Sequence, residues 1–178
     1  TLVGVVDADA GIPPLPEVAE GLAGVPQSQR WALRVGGVAA RVSGLSERLS
    51  LVATRTLVDT NAHRADAVST PARWIERHLG LSATDARRLV RCDRALRHLD
   101  TTRQAVFCDE VRLAHLDAIA RIVPAHFDVA GTAIAWQAVA DIEGDLLDAV
   151  SHAGPTVYAK FCRAVRDRLD LDGPRDHA

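Results

Sequence analysis

Apolar residues recur at alternating spacings of three and four along Val35, Val38, Val42, Leu45, Leu49 and Val52. This is a heptad seam, and it predicts a long helix beginning near Ser28, packed along a partner helix. The pattern fades at Leu57 and Val58, so the helix can run to about His63. Gly36, Gly37 and Gly44 each weaken it by about 1 kcal/mol relative to alanine, or permit close helix contact. Thr70-Pro71 then reads as an N-cap followed by a proline in the first helical position, and Trp74, Ile75, His78 and Leu79 share one side of a short helix closed by Gly80. Ser82-Ala-Thr-Asp85 resembles a capping box with Asp in place of Glu, and opens a helix to about His98.

Further helices are expected near 101–108, 112–122, 131–152 and 155–169. The last two have apolar sides at Ile134, Val139, Ile142 and Leu146, and at Val157, Phe161, Val165 and Leu169. No stretch alternates with period two for long enough to make a strand. The pattern predicts an all-α fold, a multi-helix bundle with a long N-terminal helix and a helix-turn-helix-like corner at Gly80. Residues 1–26 hold four acidic residues, four prolines and no basic residue, and read as an acidic, proline-broken lead-in with one short helix near 15–23. The helical domain is placed at 27–172 and a tail at 173–178.

Composition changes this picture only locally. The 178 residues carry a formal net charge of −2, so any nucleic-acid surface must be local. Between residues 73 and 103, however, eight arginines stand against four acidic residues. On a helical wheel of residues 84–99, Leu89, Cys92, Leu96 and Leu99 fall together, while Arg87, Arg91 and Arg94 fall opposite, flanked by Arg88 and Arg97. A helix-turn-helix lays its second helix in the major groove, where arginines hold phosphates or read guanine edges. Arg87, Arg88, Arg91 and Arg94 are therefore candidate DNA contacts, first to phosphate. The same arginines also suit a solvated helix face paired with Asp85, Asp93 and Glu76. Glu76 stands where such a corner normally wants a small residue.

Catalytic patterns are missing: GxSxG, Walker A, HExxH and GxGxxG do not occur. The seven histidines lack metal-ligand spacing beside a cysteine pair, and His115 is expected as a packed core histidine. No catalytic residue, metal or cofactor is assigned. Cys92, Cys108 and Cys162 are odd in number and without CxxC spacing. They are expected as reduced, core-packed thiols of a cytoplasmic protein. The amino end lacks the positive region of a secretory signal, and no apolar run is long enough for a membrane span. The sequence has no methionine, so a chain beginning Thr-Leu-Val is read as processed, trimmed or part of something longer.

The run STPARWIERHLGLSATDARRLVRCDRAL resembles the N-terminal helical domain of the 13E12 repeat family, actinobacterial proteins that commonly end in an HNH endonuclease domain. The matching positions are Ser69, Trp74, Ile75, Gly80, Leu81, Ser82, Ala86 and Arg87. FCDEVRLAHLDAIARIV is similar to the family's next helix-turn-helix stretch, with His115 in place but Asp109 and Glu110 where glycine is usual. VRDRLDLDGP is similar to the close of the helical domain, and the resemblance covers about residues 28–173. It implies a DNA-binding or DNA-positioning domain with a nuclease part beyond the tail. The HNH histidines and asparagine have no counterpart here, Asn61 being the one asparagine. Two other classes stay open. One is a helical interaction module that self-associates through the Val35–Val52 seam without touching nucleic acid. The other is an enzyme in its own right, which would bring His115 together with carboxylates in a cleft.

Overall fold

The computed structural model describes residues 29–124 and 129–169. The expected helix near 15–23, the acidic lead-in and the tail from 173 lie outside them. Helices account for 80% of the described residues, and no strand occurs among these. In chain order they are α1 (Gln29–Thr60), α2 (Ala62–Ala65), α3 (Pro71–Leu79), α4 (Ala83–Leu96), α5 (Asp100–Phe107), α6 (Leu113–Ala120), α7 (Val129–Asp141), α8 (Glu143–Val150) and α9 (Pro155–Arg168). The all-α expectation is met. No helix among the described residues is long and apolar enough to cross a membrane.

The chain divides into two compact units, residues 1–41 and 42–178. In the first, the opening turns of α1 leave Leu33 and Val38 exposed. A side chain on Gly36 or Gly37 would meet nothing within 4 Å among the described residues. Everything that follows belongs to the second unit.

There α1 turns a different face inward than the heptad seam predicts. Leu51, Thr54 and Leu57 are buried, whereas Val42, Leu45, Leu49 and Val52 remain 62%, 52%, 60% and 47% exposed. Gly44 does permit a close approach: a Cβ there would collide with the Arg112 guanidinium and the Asp109 carboxylate. Arg48 and Arg112 both pair with Asp109. Asp109 has a left-handed backbone, φ 67°, the conformation for which glycine is the usual residue and aspartate one of the tolerated ones. α1 stops at Thr60 rather than His63, because Asn61 is left-handed at φ 54° and α2 begins anew after it.

The caps around the corner form as expected. The Thr70 hydroxyl accepts from Arg73 N, Pro71 opens α3, and Gly80 closes it at φ 65°. The Ser82 hydroxyl accepts from Asp85 N at 3.1 Å and donates to the Asp85 carboxylate at 2.6 Å. This satisfies one of the free N–H groups at the start of α4, and the acidic side chain suits the helix dipole there.

Two apolar clusters form the core. One gathers Leu51, Leu57, Ile75, Leu89, Cys92, Leu96, Val106 and Leu116, from α1, α3, α4, α5 and α6. The other gathers Leu99, from the turn between α4 and α5, with Ile119, Ile122, Val123, Trp136, Val139, Leu146, Tyr158 and Cys162, from the segments around α6 to α9. α4 and α6 contribute to both and pack on each other, so they form the wall between the clusters.

The single helix expected at 131–152 is two. Ile142 leaves helical geometry, and the buried Glu143 accepts a hydrogen bond from Thr102 N at 2.5 Å, capping the start of α5 from across the fold. On α7 the buried residues are Ala135, Trp136 and Val139, while Ile134 is exposed. On α9 the inward stripe is displaced by one residue: Tyr158 and Cys162 are buried, and Val157 and Phe161 are exposed. Val165 and Leu169 pack against the cluster as expected.

Candidate anion-binding cleft

α4 has the two faces its sequence predicts, but its basic face is not free. Leu89, Cys92, Leu96 and Leu99 are buried as expected. Arg87 is exposed and has no ion-pair or hydrogen-bond partner among the described residues. Arg88, Arg91 and Arg94 are half-buried, because α6 packs along that side of α4. The continuous outward strip of guanidinium groups expected from the wheel is therefore interrupted after Arg87. The wheel has no knowledge of α6.

Asp117 of α6 accounts for most of the interruption. Its carboxylate, 13% exposed, accepts from Arg91 Nε at 3.0 Å and Arg91 Nη2 at 2.6 Å, and from Arg121 Nε at 3.0 Å. Arg88 Nε lies 3.8 Å away. Arg97 is likewise held, by Asp93 at 3.0 Å and Asp59 at 2.7 Å. Burial works against the Arg97 charge, yet these two carboxylates outweigh it and its pKa is raised.

Arg94 differs. Its nearest acceptor is the Val123 carbonyl, at 3.5 Å from Nη2, the outer limit of a hydrogen bond. Its Nε is buried without a partner. Burial first, and the neighbouring Arg91 second, push its pKa below the ordinary arginine value. Arg94 is thus a partly desolvated cation facing another cation, with no carboxylate paired to it among the described residues. Such a group is stabilised by any anion that reaches it.

The space beside it is a cleft of about 480 Å³ between α4, α6 and α9, within the range of small-ligand sites. Among the described residues, its charged lining is Arg91, Arg94, Arg121, Arg163 and Arg166 against the single Asp117. Ala118, Val123 and Cys162 add apolar surface beside the arginines, where their charges act more strongly than in open water. Arg163 is exposed and has no partner among the described residues. Among the described residues, Arg166 reaches only the exposed Asp167, at 3.4 Å, and its Nε has no hydrogen-bond partner. Five guanidinium groups around one carboxylate leave the cleft strongly positive on a chain that is slightly negative overall.

Arg91 and Arg94 are the only members of this lining among the candidates from sequence. Arg121, Arg163, Arg166 and Asp117 come from α6, its C-cap and α9, and no local pattern ties them to α4. The one available signal was the pairing of Arg163 and Arg166, three residues apart and next to Cys162, on a helix that must bury one side.

The remaining chemistry is quiet. Burial pushes the Cys162 thiol up to about 11 and the Cys92 thiol up to about 12, so both stay protonated and unreactive. Cys108 is exposed, against the expectation of three core cysteines. His115 is packed as expected: its Nε2 lies 3.2 Å from the Ala153 carbonyl, and its ring meets Tyr158 edge-on. Neither partner is a carboxylate. No group of three or more potential metal ligands occurs among the described residues.

The fold and cleft thus define an all-α domain with a half-enclosed arginine site. Comparison of the chain with models of known protein families, with curated proteins and with solved structures yields no match.

Proposed function

We propose that the chain is a DNA-binding or DNA-positioning helical domain of an HNH endonuclease-like protein, without the nuclease site itself. The supporting observation is the cleft in which, among the described residues, five arginines face one carboxylate and Arg94 lacks a paired counter-charge. A phosphate backbone is the polyanion that such a surface suits. Of the four candidates on α4, Arg91 and Arg94 line the cleft, and Arg87, with no partner among the described residues, stands about 10 Å nearer the amino end of the helix than Arg94. Arg88 and Arg91 act through their hold on Asp117. Arg121, Arg163 and Arg166 extend the contact set.

Titration of a labelled duplex DNA at two salt concentrations tests this. Replacing both Arg163 and Arg166 by alanine removes two phosphate contacts, so the slope of log affinity against log salt should fall by roughly two. Affinity at the lower salt should drop at least about tenfold. An unchanged affinity and slope would sink the DNA reading.

A second reading is supported by the exposed row Val42, Leu45, Leu49 and Val52 on α1. Four apolar residues at heptad spacing facing water suit self-association through α1. Light scattering should then show a concentration-dependent dimer that Leu45→Asp abolishes. A monomer at all concentrations rejects this reading and leaves the cleft untouched.

A further inference from the structure

The geometry points to a seat for one dianionic phosphate group in the cleft between α4, α6 and α9, with Arg94 as its anchoring residue and Arg163 and Arg166 closing on it from α9. This inference rests on the polyanion reading above and narrows it. Duplex DNA lying across the surface would need only exposed cations. The structure instead places Arg94 part-way into an apolar-walled cleft, where the arginines of an extended backbone contact are not needed.

Charge sets the ligand class. Asp117 already receives hydrogen bonds from Arg91 and Arg121. Among the described residues, Arg94 and Arg163 have no carboxylate partner, and Arg166 has only the exposed Asp167. A backbone phosphodiester brings one negative charge to this group, whereas a terminal phosphate or a free phosphate brings close to two near neutral pH. Planar guanidinium groups arriving from two helices can donate to several oxygens of one tetrahedral anion. A cavity of about 480 Å³ has room for that group together with the sugar that carries it.

The probes are inorganic phosphate and a pair of single-stranded eight-nucleotide oligomers, one 5′-phosphorylated and one ending in a 5′-hydroxyl. Phosphate should raise the melting temperature of the wild-type protein, and chloride at the same ionic strength should not. The gain should vanish in Arg94→Ala and shrink in Arg163→Ala. The exposed position of Arg163 makes that second variant safe for the fold. If the natural source is a nucleic-acid end, the phosphorylated oligomer binds at least about fivefold tighter than its partner, and Arg94→Ala erases the difference. Equal oligomer affinities together with protection by phosphate assign the seat to a free phosphate or a phosphorylated small molecule. Protection equal to that of chloride overturns the inference. Duplex binding that persists in that case leaves the DNA reading standing, and protection by phosphate without duplex binding does the reverse.

Discussion

Asp117→Asn should lower the stability of the protein while raising its affinity for DNA. The two effects share one cause. The Asp117 carboxylate is the only negative group lining the cleft among the described residues, and it holds Arg91 and Arg121. The amide keeps the shape but releases both guanidinium groups from their counter-charge. Losing a half-buried, charge-assisted hydrogen-bond network costs about 1–3 kcal/mol, read as a lower urea midpoint. The same change removes a negative charge about 7 Å from an incoming phosphate, a repulsion of roughly 2 kcal/mol at an effective dielectric of about 20. Salt screening trims this to about a tenfold gain in affinity. Opposite signs make the result hard to mistake for general damage, which lowers both quantities. Affinity that falls together with stability would show that polyanions do not enter this cleft.

Trp136→Ala should be the most destabilising single change in the fold, at about 3–5 kcal/mol. Trp136 is 1% exposed at the centre of the cluster that supports α9, and His98 stacks on its ring at 5.2 Å. Its indole N–H, however, is buried without a hydrogen-bond partner. Trp136→Phe should therefore cost only roughly 1 kcal/mol, since the lost volume is partly offset by removing an unsatisfied donor. Denaturation midpoints of the two variants check this. Equal losses would mean that the N–H contributes to stability after all. Because the same cluster carries Tyr158 and Cys162, the alanine variant should also loosen α9 and weaken phosphate binding through Arg163 and Arg166.

Much of the helical layout was legible in local chemistry. Thr70, Pro71, Gly80, Ser82 and Asp85 act within one turn of the backbone they cap, so their roles follow from spacing alone. Helix boundaries that depend on distant partners were not legible. α7 and α8 read as one helix because nothing near Ile142 breaks it; the break accompanies Glu143 reaching Thr102 N, 41 residues away in sequence. The inward face of α1, and the placing of Ile134 on α7 and of Val157 and Phe161 on α9, were misjudged for a related reason, while Val139, Leu146, Val165 and Leu169 face the core as read. Small and polar residues such as Gly44, Thr54, Ala135 and Cys162 occupy the buried sides, so the largest aliphatic residues did not mark them.

The candidate site divides in the same way. The amphipathic character of α4 was set by the order of its own residues, because a helix places positions three and four apart on one face wherever it sits. Which arginines stayed free was decided by what packed against that face. α6 brought Asp117 to Arg91, and α9 brought Arg163 and Arg166 to the open side of Arg94. Charge compensation acts across a few ångströms of space and not along the chain. The sequence by itself therefore determined a helix with a cationic side, and only the tertiary structure turned that side into the wall of a cleft and left Arg94 there without a carboxylate among the described residues.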